Sequence, residues 1–160
     1  MRTAERLRYL ILAAQREGNR RLAAELAPLG LTPAQSEALR ILSENGPMSL
    51  RALGRMLVCD SGSSPSRIVE RLVAAGLVER ATDDDDHRQI VLSLSPLGVL
   101  RADEVAKVEG RLYDVLDVAL EQADSEAILA FLQTFTRGSA AGAAFDRRFP
   151  APPSPTRRSS

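Results

Sequence analysis

Four serines stand at the front of the stretch SGSSPSRIVERLVAAGLVER, residues 61–80, and Arg67 and Arg71 follow them closely. Ser64 and Pro65 suit the cap and the first position of a helix. The apolar residues that recur at helical spacing are Ile68, Val69 and Leu72, and the residues left on the outer side are Ser66, Arg67, Glu70 and Arg71. A helix that enters the major groove of DNA needs small hydroxyls near its N-terminus and arginines that bond guanine or phosphate.

The same serines have a plainer interpretation. Serine is a common helix cap, and a polar loop before a helix is ordinary. Taken alone, the stretch leaves both interpretations open, so the neighbouring segments have to decide between them.

A run of four aspartates, Asp83 to Asp86, precedes His87 and Arg88 in a predicted hairpin tip. Arg88 can reach from such a tip into a minor groove, where narrow A·T segments concentrate negative potential. Asp86 can aim that guanidinium through a bidentate pair.

Metal binding is the rival interpretation of this acidic run. A calcium loop that starts at Asp83 would need Gly at its sixth position and Glu at its twelfth, where this chain has Arg88 and Leu94. A zinc site needs more His or Cys nearby, and His87 is the only histidine. The sequence therefore predicts no metal site.

The elements that position these residues follow from hydrophobic spacing and turn residues. The predicted helices are 3–27, a second opened by the capping box Thr32-Pro33-Ala34-Gln35, a short third capped by Ser49, a fourth over 64–75, a long fifth from Ser95-Pro96 to about Leu120, and a last one capped by Asp124 or Ser125. Residues 77–81 and 89–94 are predicted strands of a hairpin.

The predicted fold class is mainly α with a small β-hairpin wing: a winged helix-turn-helix domain plus a dimerisation region built from N- and C-terminal helices. Its predicted parts are an N-terminal dimerisation helix at 1–30, the winged domain at 31–95, C-terminal dimerisation helices at 96–145 and a disordered tail at 146–160.

Composition and the absence of certain motifs exclude several classes of protein. The 160 residues carry 44% apolar and 26% charged side chains, which is typical of a globular protein, and the net charge is formally zero. Residues 48–82 nevertheless hold five arginines against three acids. The single cysteine, Cys59, indicates a reducing cytoplasm, and we expect neither a signal peptide nor a membrane anchor. No phosphate-binding loop, dinucleotide turn or nucleophile elbow is present, so neither an enzyme nor a cofactor is predicted.

The span from Leu31 to Gly98 resembles the MarR family of winged-helix transcriptional regulators. The likeness is carried by LTPAQ at 31–35, by PSRIVERLVAAGLVER at 65–80, and by DHR at 86–88 followed by LSLSPLG at 92–98. The layout of the outer helices extends it to about residues 3–137. Pro65 stands where the family more often has an apolar residue, which raises the prospect of a late or bent helix start.

The resemblance implies a homodimer that binds double-stranded DNA at a pseudo-palindromic operator, usually as a repressor that a small, often aromatic ligand releases. Carried over by position, the DNA contacts are Ser49, Arg51, Ser63, Ser64, Ser66, Arg67, Arg71 and Arg88, with Asp86 as support for the wing arginine. The implied ligand pocket lies between the dimer helices and the winged domain, and its candidate lining is Leu10, Leu39 and Leu97. Some members sense oxidants through a cysteine in the first helix, which this chain lacks. The remaining alternative is a winged domain that binds a protein and not DNA, which the zero net charge and the acidic tip favour.

Overall fold

A computed structural model of the chain describes residues 2–59, 62–82 and 90–150. Its helices are α1 (Thr3–Leu26), α2 (Pro33–Asn45), α3 (Leu50–Met56), α4 (Pro65–Ala74), α5 (Pro96–Leu120), α6 (Ser125–Thr136) and α7 (Ala140–Arg148), and its strands are β1 (Met48–Ser49), β2 (Val78–Thr82) and β3 (Ile90–Leu94). A single 3₁₀ turn, Ala27–Leu29, follows α1. The predicted mainly helical fold with a small β wing is confirmed.

Short polar side chains fix where the helices begin. The predicted capping box is confirmed: the Thr32 hydroxyl accepts from the Gln35 amide, and the Gln35 side chain accepts from the Thr32 amide. Ser49, Ser64 and Asp124 cap α3, α4 and α6 in the same way, each accepting from the amide three residues on. These bonds satisfy amides that have no partner inside the helix.

The wing is a three-stranded antiparallel sheet with the strand order β1-β3-β2. Val78 pairs with Leu94 at one end of the hairpin and Thr82 with Ile90 at the other. Strand β1 is not predicted by the sequence; it places Met48 opposite Leu92 and thereby ties the start of α3 to the wing.

The core lies where α2, α4 and α5 meet the sheet. Its fully buried members include Leu39 and Ile41 of α2, Leu72 of α4 and Val105 of α5. One contiguous apolar cluster therefore fixes α4 relative to both the wing and the long helix α5.

The strand-to-helix junction after β3 is tightly built. The Ser95 hydroxyl donates to the Gly76 carbonyl at 2.6 Å and accepts from the Gly98 amide at 2.9 Å. A Cβ at Gly98 would lie 1.9 Å from the Leu77 carbonyl oxygen. Only glycine lets α5 approach the turn that follows α4 this closely.

The C-terminal helix α7 is also absent from the sequence prediction, which begins a disordered tail at residue 146. Ser139 caps this helix by accepting from the Gly142 amide. Gly142 lies against the end of α6, because an added Cβ would be 2.3 Å from the Thr136 carbonyl oxygen. The helix runs to Arg148, so folded structure extends past the predicted boundary; residues 151–160 of the predicted tail lie outside the described residues.

None of the helices in the described ranges is both long enough and apolar enough to span a bilayer.

Candidate nucleic-acid interface

Helix α4 divides into a buried face and an exposed face, as its sequence predicts. Ile68, Val69 and Leu72 are buried in the core. Arg67, Glu70 and Arg71 lie exposed on the opposite side. The two guanidiniums are therefore presented to solvent by a helix whose other side is fixed.

The N-terminus of α4 is small and polar. The Ser64 hydroxyl accepts from the Arg67 amide at 3.4 Å, and the Ser64 and Ser66 hydroxyl oxygens are 3.0 Å apart. Ser64 is exposed and Ser66 half-buried. Free amides and the positive end of the helix dipole at such a terminus attract phosphate.

Pro65 starts the helix and does not delay it. Its backbone occupies the first helical position after the Ser64 cap. Gly54 of α3 provides the space, since a Cβ there would lie 3.1 Å from Cγ of Pro65. The expectation of a late start is therefore wrong, because a glycine on the neighbouring helix makes room for the ring.

The other predicted contacts flank this terminus. Ser49 is the cap of α3, with its hydroxyl 3.2 Å from the Ala52 amide, and Arg51 is exposed in the first turn of α3. Ser63 is half-buried just before the α4 cap. Helices α3 and α4 pack against each other, so their polar starts belong to one rigid unit.

The predicted wing residues Arg88 and Asp86 lie outside the described residues, as do His87 and the aspartates 83–85. Strands β2 and β3 carry this tip, and their paired ends at Thr82 and Ile90 are described. The placement of the wing arginine therefore stays a prediction.

Glu37 is a structural residue of this interface that the sequence does not reveal. It lies buried on α2, and its two carboxylate oxygens accept from the Val58 and Cys59 amides at 2.8 Å each. These amides begin the segment that joins α3 to α4. Arg148 of α7 pairs with the same carboxylate at 3.0 Å.

A cluster of charged residues continues from Glu37 along α2 and α5. Arg40 bridges Glu44 at 2.7 Å and Glu109 at 3.2 Å. Burial raises the pKa of the Glu109 carboxyl, and the charges of Arg40 and Arg148 offset only part of that rise. Burial and the neighbouring Glu109 carboxylate raise the pKa of Tyr113 as well.

This cluster borders a cleft of about 350 Å³ between the long helices and the winged domain. Its walls come from α1, α2, the segment after α3, α5 and the end of α7, and they include Asn19, Leu22, Ser36, Glu37, Val58, Cys59, Glu109, Leu112, Tyr113, Arg148 and Phe149. Cys59 is half-buried here and packs against the core.

The three leucines predicted to line a ligand pocket are not brought together. Leu39 is fully buried core, whereas Leu10 and Leu97 are 64% and 48% exposed. None of them lines the 350 Å³ cleft. Apolar spacing alone does not separate residues that face a cleft from residues that face the core or a free surface.

The sequence and the fold both resemble known regulators. Residues 29–89 match the sequence model of the MarR family. The organic hydroperoxide resistance transcriptional regulator of Bacillus subtilis (strain 168) is 27% identical over 112 residues, which are 70% of this chain and 76% of that protein.

Two solved structures are similar over most of the chain. A mutant MarR from E. coli complexed with operator DNA has a TM-score of 0.68 and 28% identity, covering 82% of this chain and 93% of that one. A probable transcriptional regulator from Pseudomonas aeruginosa has a TM-score of 0.61 and 33% identity, covering 78% and 96%. The similarity thus extends beyond the winged domain into the long helices.

Proposed function

Because the chain belongs to the MarR family of transcriptional regulators, we propose that it binds a pseudo-palindromic operator as a homodimer and represses transcription until a small ligand releases it. The observation that carries this proposal is the architecture of α4. Its arginines are exposed while its apolar face is locked into the core. A protein that is similar over most of this chain is complexed with operator DNA.

The proposed base and phosphate contacts are residues of three elements. The N-terminal half of α4 inserts into the major groove, and the start of α3 and the wing contact the flanking backbone. The residues are Ser63, Ser64, Ser66, Arg67 and Arg71 for α4 and its entry, Ser49 and Arg51 for α3, and Arg88, supported by Asp86, for the wing. Arginine suits these positions because its planar fork bonds guanine or phosphate through two N–H groups.

Apolar surface left open on the outer helices supports the homodimer. Phe135 of α6 is 70% exposed, Leu10 of α1 is 64% exposed and Val118 of α5 is 66% exposed. A cleft between α1 and α6 is lined almost wholly by apolar side chains, among them Leu7, Ile11 and Phe131. A second copy of the chain would cover such surface and would place two α4 helices on one face of the DNA.

The cleft beside Glu109 supports the proposed effector site. It joins a phenol, two carboxylates, a guanidinium that is paired with one of them, and apolar walls, which suits a small aromatic molecule that carries a polar group. It also borders Glu37, whose carboxylate holds the segment leading into α4. A ligand in this cleft is therefore in a position to change the setting of the recognition helix.

The test is a binding screen of the purified protein against fragments of its source genome at several salt concentrations. We expect one enriched inverted repeat, two copies of the chain per repeat, and an affinity that falls steeply as salt rises because phosphate contacts release counterions. Fragments enriched without a shared repeat, or none at all, would contradict the proposal.

A further inference from the structure

Helix α7 contacts the part of the winged domain that we propose binds DNA. Helix α7 packs against α3. The Arg148 side chain is only 11% exposed and donates from Nη1 to Oε1 of Glu37 at 3.0 Å. The Phe149 ring covers the guanidinium, with 5.3 Å between the guanidinium carbon and the ring centroid.

The Glu37 carboxylate joins this arginine to the segment that follows α3. Each carboxylate oxygen accepts one backbone amide, from Val58 and from Cys59, at 2.8 Å. Helix α3 ends at Met56, so these amides belong to the first residues that lead toward α4. One buried carboxylate thus holds both the end of α7 and the segment that leads toward the recognition helix.

Charge balance makes Arg148 important to this arrangement. The Glu37 side chain is 9% exposed, and a buried carboxylate is stable only when it is paired. The neighbouring Arg40 is engaged with Glu44 and Glu109 instead. Within the described ranges, Arg148 is the one cation within ion-pair distance of Glu37.

We propose that Arg148 is a positioning residue for DNA recognition: through Glu37 it fixes the Val58–Cys59 segment and thereby the position of α4. The inference rests on the proposed DNA binding, since it concerns how that binding is tuned. It assigns to α7 a role in operator affinity although none of the proposed DNA contacts lies on that helix.

The test compares Arg148→Gln with Arg137→Gln in the full-length protein. Both remove one positive charge from the C-terminal region, but Arg137 is exposed at the end of α6. We expect Arg148→Gln to lower affinity for the enriched repeat about tenfold, within the range by which residues remote from a ligand alter its binding. Its affinity for random-sequence DNA should change no more than that of Arg137→Gln.

A second measurement needs no DNA. Amide hydrogen exchange at Val58 and Cys59 should be faster in Arg148→Gln than in the parent or in Arg137→Gln. Arg148→Lys keeps a charge that can reach Glu37 and should restore both properties to within about threefold of the parent. If Arg148→Gln does not fold, the comparison of Arg148→Lys with the parent takes its place, with a smaller change of the same sign.

Unchanged exchange at both amides would overturn the proposal, as would faster exchange with unchanged affinity for the repeat. Equal losses on specific and random DNA would overturn it as well, because they would indicate lost charge and not lost positioning. If the screen enriches no repeat, the proposed function is contradicted independently of this inference. The exchange measurement then still shows whether Arg148 stabilises the Val58–Cys59 segment.

Discussion

At the scale of single residues, the most demanding position is Gly98, where the chain leaves no room for a side chain. A Cβ would lie 1.9 Å from a backbone carbonyl oxygen, which cannot move away as a flexible side chain would. We expect Gly98→Ala to lower the free energy of unfolding by about 1–3 kcal/mol, the range for overpacking a well-packed site. Urea denaturation measures the change.

Gly110 on the same helix is the matched control. Nothing lies within 4 Å of an added Cβ there, and the residue is helical. Gly110→Ala should therefore raise stability by about 0.5–1 kcal/mol through helix propensity. Equal effects of the two substitutions would show that the close approach at Leu77 is unimportant.

The proposed DNA contacts separate into those expected to read bases and those expected to hold phosphate. Arg67 is exposed on the first turns of α4. Its replacement by Ala should weaken the binding free energy by about 1–3 kcal/mol and relax the preference at one base pair of each half-site. Arg88→Ala on the wing should weaken binding to all variants of the repeat more evenly. Affinities measured over a library of single-base changes distinguish the two patterns, and an even loss for Arg67→Ala would remove that residue from base readout.

At the scale of elements, the pairing of α2 with α5 includes a charged residue that folding makes less acidic. Burial raises the pKa of Glu109, so between its unfolded and folded pKa values the folded protein holds the extra proton. The free energy of unfolding then falls as pH rises through this window. Below the window Glu109 is protonated in both states and contributes no pH dependence. The free energy of unfolding of the parent minus that of Glu109→Gln should therefore decrease as the pH rises above 4.5, the ordinary pKa of this carboxyl.

Urea denaturation of both proteins across that range measures the difference. Glu104→Gln, which removes an exposed carboxylate from the same helix, controls for the loss of one negative charge. A difference that rises with pH would mean that the arginines near Glu109 outweigh its burial.

The elements that the sequence predicts are those that carry their own local signals. Thr32, Ser64 and Ser95 mark helix starts because each cap acts on an amide three residues away, and Gly76 ends α4 in a left-handed conformation. The exposed arginines of α4 follow from the same local pattern, since the opposite face is apolar.

The elements that the sequence does not predict depend on distant partners. Strand β1 has two residues, too few for an alternating pattern, and exists through its pairing with β3. Helix α7 is rich in Ala and contains a glycine, and the bond between Arg148 and Glu37 joins residues 111 positions apart. In the sequence, Glu37 likewise resembles a solvent-facing residue of α2. Only the fold places the Val58 and Cys59 amides next to its carboxylate.

At the scale of the whole molecule, the proposed function requires two copies of the chain. Phe135 is 70% exposed in the single chain, so its replacement by Glu should leave the fold of one subunit intact while opposing association. We expect Phe135→Glu to shift the protein toward monomer in sedimentation and to lose affinity for the repeat by at least about tenfold, because the two half-sites would no longer be bound together.

Gln133→Glu places the same charge on another face of α6 and should remain dimeric. A Phe135→Glu protein that stays dimeric and binds the repeat normally would show that α6 lies outside the interface between subunits.

Site-directed DNA cleavage from α4 asks whether this helix enters the DNA at all. Glu70, exposed between the two arginines, is replaced by Cys in a Cys59→Ser background and carries an iron chelate that cuts nearby DNA. We predict two clusters of cuts on the repeat, symmetric about its centre and separated by one helical turn of about 10 base pairs or a multiple of it. A chelate at Thr134 of α6 gives the background, and cleavage from position 70 that does not exceed it would show that α4 does not enter the DNA.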